Sequence, residues 1–232
     1  MRPLRVLELY PFGRGLGQAF RARGHLVFTL DFKLQRKEYT ADGEVSVEAL
    51  MHGEPTPPPG PWDLVLARPF CPTYSPAARF MHYRDTKTGA PLAQKARDAD
   101  DLVRGQLRFI RFAAPRLGWA LENPHGELRK CDFMQGIPVV TVTLCQYGDR
   151  FRKATDLFGP LPPAFAPRAC APGAPCHTGS RWVNKKGEKW GAYANNGAAA
   201  REFDRRTAWQ RAYLPFALSE ALAVAAESSL KE

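Results

Sequence analysis

Two apolar runs that end abruptly on reactive side chains constrain this chain more than anything else in it. Asp63-Leu64-Val65-Leu66-Ala67-Arg68-Pro69-Phe70-Cys71 stops at a thiol, and Trp119-Ala120-Leu121-Glu122-Asn123-Pro124 stops at a carboxylate. Short continuous apolar runs bounded by turn residues read as buried strands. Parallel α/β sheets present their chemistry at the carboxyl ends of such strands. A cysteine and a glutamate delivered side by side could add a thiolate to a ring and protonate that ring at the same time.

The rest of the chain keeps the same alternation of strand and helix. Val6-Leu7-Glu8-Leu9-Tyr10 reads as a first strand, followed by the glycine-rich turn Pro11-Phe12-Gly13-Arg14-Gly15-Leu16-Gly17 and a helical stretch over residues 18–23. Such a turn brings backbone N–H groups and a helix N-terminus close to a ligand. Leu26-Val27-Phe28-Thr29-Leu30 then forms a second strand closing on Asp31, an acidic residue placed to hold the two hydroxyls of a ribose. A short third strand is expected over residues 37–40, a helix over 44–51, and a stiff proline-rich connection over 55–61. Strand four is expected at 62–67, and the polar loop after it, with Tyr83, Arg84, Lys87, Thr88 and Gly89, suits a mobile lid.

Residues 92–114 carry helical apolar spacing through Ala99, Leu102, Val103, Leu107, Phe109 and Ile110. The β-branched tract Val139-Val140-Thr141-Val142-Thr143-Leu144-Cys145 reads as a further strand, and residues 208–228 as a final helix with Pro215 at its start or at a kink. This alternation predicts a doubly wound, Rossmann-like α/β sheet.

With 232 residues the chain can bury one full core, and its 44% hydrophobic and 24% charged content is that of a globular protein, not a disordered one. The 33 Lys and Arg against 23 Asp and Glu give +10, a balance that favours polyanions. Arg150, Arg152, Lys153, Arg168, Arg181, Lys185, Lys186 and Lys189 gather near Trp182, Trp190 and Tyr193, a mixture suited to a nucleic-acid surface. Five cysteines without a secretory leader argue against a disulfide framework, and no apolar run approaches the ~18–20 residues of a membrane span. A soluble, cytoplasmic protein is therefore expected. Cys145, Cys170, Cys176 and His177 have the donor types of a zinc site at a spacing unlike a compact finger, and the alternative is ordinary packing thiols, as for Cys131.

Glu8-Leu9-Tyr10 with its glycine turn, Asp31, the loop ending at Cys71, Leu121-Glu122-Asn123-Pro124 and Cys145-Gln146-Tyr147-Gly148 resemble, in order and rough spacing, the DNA cytosine-5 methyltransferases, particularly the small phage and prophage type. The likeness runs from about residue 4 to about residue 224. It implies a class I methyltransferase sheet over residues 1–148, a small loop-rich target-recognition insert over 149–205 and a C-terminal helix over 206–232 returning to the catalytic domain. It also implies S-adenosylmethionine as the donor and DNA as the partner of a monomeric enzyme in a prokaryotic or phage-infected cell. By that resemblance Cys71 is the nucleophile toward C6 of a flipped cytosine and Glu122 stabilises protonation at N3. Asn123 and Pro124 aim Glu122, with Arg68 beside them. The donor falls to Tyr10, Phe12, Gly13, Arg14, Gly15, Gly17, Asp31, Pro69 and, for the adenine amino group, Asp42. The DNA falls to Tyr74, Ser75, Gln146, Tyr147, Arg150, Arg152 and Lys153.

The departures from the family pattern are local. Arg68-Pro69-Phe70 stands where a small residue and two prolines usually precede the cysteine, and Pro11, Phe12 and Arg14 stand where small residues and glycines are usual. Three alternatives follow: Gly13, Gly15 and Gly17 serve the donor in a shifted register; Arg14 or Arg68 pairs with a modified, carboxylated sulfonium donor; or donor binding is lost and a DNA-binding protein remains.

Overall fold

The computed structural model describes residues 2–10, 15–31, 35–36, 39–53, 56–149, 152–171, 182–183, 189–190 and 212–230. Seven strands form its central sheet: β1 (Arg5–Leu9), β2 (Leu26–Asp31), β3 (Gly43–Glu44), β4 (Leu64–Ala67), β5 (Trp119–Pro124), β6 (Val139–Thr143) and β7 (Ala154–Phe158). They lie in the order β3-β2-β1-β4-β5-β7-β6. The first five are mutually parallel, and β7 runs antiparallel between β5 and β6. The order reverses between β1 and β4, which opens a crevice at the carboxyl edge where those two strands part.

Alternation along each strand decides which layer covers which face. Leu7, Leu9, Val65, Ala67 and Leu121 point to one side, under α2 (Val47–His52) and α3 (Gln94–Ala113). Val6, Leu64, Leu66, Ala120 and Leu157 point to the other, under α1 (Gln18–Ala22) and α4 (Phe216–Ser228). The expected α3 stripe is present: Val103, Leu107, Phe109 and Ile110 are buried, each worth about 1.5–3 kcal/mol of apolar transfer. Gly105 lets α3 close on α2, since a Cβ there would collide with the Leu50 carbonyl. Pro215 sits at the N-terminal cap of α4, a start and not a kink.

Three expectations need correction. The third strand of the sheet is Gly43–Glu44; the stretch before it pairs with itself, Gln35–Arg36 against Tyr39–Thr40. The boundary at residue 148 falls too early, because β7 belongs to the central sheet and pairs with β5 and β6. The loop expected to act as a lid is pinned: Arg84 is buried, forms an ion pair with Asp100 at 2.7 Å and donates to the carbonyls of Gly89 and Ala96. Among the described residues no helix is long and apolar enough to cross a membrane.

Candidate active site

The carboxyl ends of β1 and β2 form the first half of the site. Tyr10, the residue after β1, adopts a left-handed backbone with φ 55°, costly for an aromatic residue and typical of positions held at functional turns. The turn re-enters at Gly15, and Gly17 donates its N–H to Glu8 Oε1 at 2.9 Å. A Cβ on Gly17 would collide with the other Glu8 oxygen, so glycine is required there by close approach. Burial pushes the Glu8 carboxyl up, against the bond from Gly17 and the charges of Arg21 and Arg68. Asp31 ends β2 fully buried, and burial together with the Asp31 charge pushes the Tyr10 phenol well up. Asp42 is exposed, and its Oδ2 accepts from the Thr29 N–H and hydroxyl, both at 2.7 Å, so that oxygen fastens β3 to β2. Phe12, Gly13 and Arg14 lie outside the described residues.

The carboxyl ends of β4 and β5 form the second half. Arg68 continues the β4 pairing by donating its N–H to the Leu9 carbonyl, and Asn123 Nδ2 donates to the Pro69 carbonyl at 3.2 Å. These bonds tie the loop bearing Cys71 to the strand bearing Glu122. Cys71 is half-buried, and its carbonyl accepts the N–H groups of Tyr74 and Ser75, closing the loop into a turn. Glu122 is buried, with Arg68 Nε 3.1 Å from its Oε2. The Thr155 hydroxyl lies against both Glu122 Oε1 and the Asn123 carbonyl, the latter 2.9 Å away. It has one proton, and an ionised carboxylate is the stronger acceptor, so the bond to Glu122 dominates. Pro124 ends the strand opposite Thr155.

The electrostatics separate the two reactive groups. Burial pushes Glu122 up, but the charges of Arg68 and Lys153 and the bonds from Thr155 and Arg68 outweigh it and hold the carboxyl below its ordinary value. Burial also pushes the Cys71 thiol up, reinforced by Glu122 and opposed by Lys153 and Arg68. At neutral pH the resting site therefore holds a thiol and a carboxylate. Arg68→Ala is expected to make Glu122 bind its proton at a higher pH than in the parent. A carbon-13 titration of the Glu122 carboxyl reads this directly, and an unchanged midpoint would show that Arg68 does not set it.

Arg68 thus faces Glu122 and donates to the Ala212 carbonyl, so this arrangement gives no support to a role for it in pairing with an acidic donor. Two residues expected at the DNA are core residues. Tyr74 is fully buried, donates to Asp100 and carries the Arg84 guanidinium 4.1 Å above its ring. Tyr147 is buried, with its hydroxyl accepting the Arg168 N–H. Ser75, Gln146, Arg152 and Lys153 are half-buried, and Lys153 acts on Cys71 and Glu122 through its charge. Arg150, Cys176 and His177 lie outside the described residues. Cys131 packs in the core as expected.

Several contributors carry no sequence signal. Thr155 reaches Glu122 from β7, and Ser219 of α4 accepts the Ala19 N–H while donating to the Leu16 carbonyl, so a distant helix caps the turn of the first half-site. Asp156 is buried opposite Asn123 and holds Arg129, Thr141 and His125, fixing the turn that follows β5. Glu8 lies inside the first-strand tract, and the signal for its bond to Gly17 is the i, i+9 spacing of an acid and a glycine across the turn.

Neither a protein-family model nor a curated protein matches the sequence. Among solved structures, a methyltransferase of Entamoeba histolytica aligns at 11% identity and a TM-score of 0.41, over 74% of this chain and 58% of that one. A SAM-dependent methyltransferase of Agrobacterium tumefaciens aligns at 18% identity and 0.33, over 68% of this chain and 55% of that one. The chain thus spans little more than half the length of either, and at these values no conclusion about chemistry rests on the likeness.

Proposed function

We propose that the chain is a DNA cytosine-5 methyltransferase acting through a covalent cysteine adduct. The observation that carries this reading is the Cys71 loop fastened through Asn123 and Pro69 to the strand that buries Glu122, with Arg68 and Lys153 biasing both groups. Addition of the Cys71 sulfur to C6 of a flipped-out cytosine would form a C–S bond and shift the C5–C6 electron pair to C5. The proton that the thiol gives up is the one the ring gains at N3; Glu122, held as a carboxylate, would relay it there and stabilise it, drawing charge from the ring as the sulfur adds. Loss of the C5 proton after methylation lets the ring expel Cys71. The raised thiol needs a base to take its proton before the sulfur can attack, so the resting site is protected from stray electrophiles.

S-Adenosylmethionine would supply an electrophilic methyl group. The residues present fit it: the buried Asp31 carboxylate suits ribose hydroxyls, and the turn re-entering at Gly15 is held flat against Glu8 by Gly17. Tyr10, between them, would face the same ligand. The basic balance of +10 supports DNA as the substrate. The experiment is incubation of unmethylated genomic DNA with the protein and S-adenosylmethionine, followed by nucleoside mass spectrometry. 5-Methylcytosine is the expected product; its absence in the presence of DNA binding would leave the binding-protein alternative, and transfer only from a carboxylated donor would establish the modified-donor alternative.

A further inference from the structure

We propose that Cys145 and Cys170 form an oxidation site, a thiol pair that closes to a reversible disulfide when a hydroperoxide reaches it. Their sulfurs lie 3.5 Å apart although the residues are 25 positions apart in sequence, and the two are not joined by a disulfide in this structure. A disulfide needs about 2.05 Å between its sulfurs, which leaves a gap of about 1.5 Å to close, comparable with ordinary side-chain fluctuation. Among the described residues no group of three or more His, Cys, Asp or Glu side chains is placed to hold a metal, so the chemistry these residues support is that of two adjacent thiols.

The backbone holds this spacing from both sides. Cys145 follows β6 in a tight turn (Leu144–Tyr147), and the returning chain is laced to the end of β6 by two bonds: Thr143 N–H to the Arg168 carbonyl at 3.1 Å and Cys170 N–H to Thr143 Oγ1 at 2.8 Å. The Arg168 N–H bonds Tyr147, and its guanidinium covers the Tyr147 ring at 4.2 Å. The two sulfurs are therefore brought together by a framework independent of any bond between them. A second thiol already in contact makes the closing step of disulfide formation effectively intramolecular and so favours it over further oxidation of the first.

Cys145 is half-buried and Cys170 is buried, so Cys145 is the sulfur that meets the oxidant. Its sulfur attacks one oxygen of hydrogen peroxide, the O–O bond breaks, and a sulfenic acid forms with release of one water. Cys170 then attacks that sulfur, forming the S–S bond and expelling a second water. Two thiols and one peroxide thus give one disulfide and two waters: the sulfurs are oxidised and the peroxide is reduced. An added thiol reverses the change by exchange. The other two described thiols compete poorly, because the thiolate is the reactive form and burial pushes Cys71 up and Cys131 up to about 12.

The bond closes a ring over residues 145–170 that contains β7. Leu144, next to Cys145, donates its N–H to the Lys153 carbonyl at 2.9 Å, and Thr155, two residues further on, reaches Glu122. Oxidation therefore braces the segment that carries these partners of Glu122. Because a cross-link of this length restricts the unfolded chain, the oxidised protein should unfold at a higher temperature, by roughly 5–10 °C. The oxidation itself does not depend on the reaction proposed above, and its readouts do not use methyl transfer.

The test exposes the full chain, reduced and then freed of reductant in the presence of a chelator, to a small excess of hydrogen peroxide. Of the five cysteines, two are expected to resist alkylation after denaturation, with the intact mass lower by two hydrogens. Peptide mapping without reductant should join the Cys145 and Cys170 peptides, the unfolding midpoint should rise as stated, and dithiothreitol should reverse each change. Cys71→Ala should form the same bond, and Cys145→Ser should form none. Where the serine variant fails to fold, the peptide map of the parent protein decides alone. A map joining either cysteine to a different partner, oxidation to sulfinic or sulfonic acid without linkage, all thiols still open to alkylation, or an unfolding midpoint that does not rise in the linked protein would each overturn the proposal.

Discussion

Cys71→Ala is expected to abolish covalent capture of DNA carrying 5-fluorocytosine at the target position and to lower methyl transfer by roughly 10³-fold or more, the scale seen when a nucleophile is removed. The fluorine blocks the proton loss that would release the enzyme, so the parent protein should remain attached while the variant should not. The thiol is half-buried on a loop whose turn is closed by the Cys71 carbonyl, and the substitution leaves that carbonyl in place. The variant should therefore keep the parent's unfolding midpoint and its affinity for DNA. Equal capture by parent and variant would assign the nucleophile elsewhere. Unchanged capture with Glu122→Gln would likewise remove the glutamate from the addition step, because its charge is what Arg68 and Lys153 are arranged around.

The elements legible in the sequence are those whose cause is local. β1, β2, β4 and β5 announce themselves as apolar runs stopped by turn residues, and α3 by its spacing, because burial on one or both faces is written into each run. The sequence puts Cys71 and Glu122 near one another because each follows an apolar run and parallel neighbours deliver such ends to one edge; β4 and β5 are such neighbours, and Glu122 acts on the Cys71 thiol through its charge. The place of β7 is not legible in the same way. Ala-Thr-Asp-Leu-Phe looks like a half-polar edge segment, yet it enters the sheet between β5 and β6, where the buried Thr155 and Asp156 are satisfied by Glu122 and by the half-buried Arg129 and Thr141. The polar character that disguises it is explained by contacts with residues distant in sequence. Tyr74 and Arg84 mislead for the same reason: in sequence they look like loop residues for a ligand, and in the fold they satisfy one another and Asp100.

Asp63→Asn is expected to destabilise the fold by about 2–3 kcal/mol at neutral pH while leaving the active site intact, since Asp63 sits at the opposite, amino edge of the sheet. Its carboxylate is fully buried at the start of β4 and collects Arg2 through two bonds of 2.8 Å, the Arg5 N–H at 2.8 Å and the Arg116 guanidinium. It thereby joins the chain start, β1 and the turn into β5. Arg2 and Arg116 are about half exposed, which places the cost below the ~3–5 kcal/mol of breaking a wholly buried pair. Burial pushes this carboxyl up, but the bonds from Arg2, Arg5 and Arg116 outweigh it and bring it from 3.8 down to about 2. The folded form thus binds the proton less readily than the unfolded chain, so the contribution is complete above pH about 4 and is lost as the pH falls from there to about 2. Urea unfolding should accordingly show a gap between parent and variant at pH 7 that narrows steadily through that acidic window. A gap independent of pH would mean that the asparagine acts through packing and not through the lost charge, and no gap at all would mean that the three donors are equally well satisfied without Asp63.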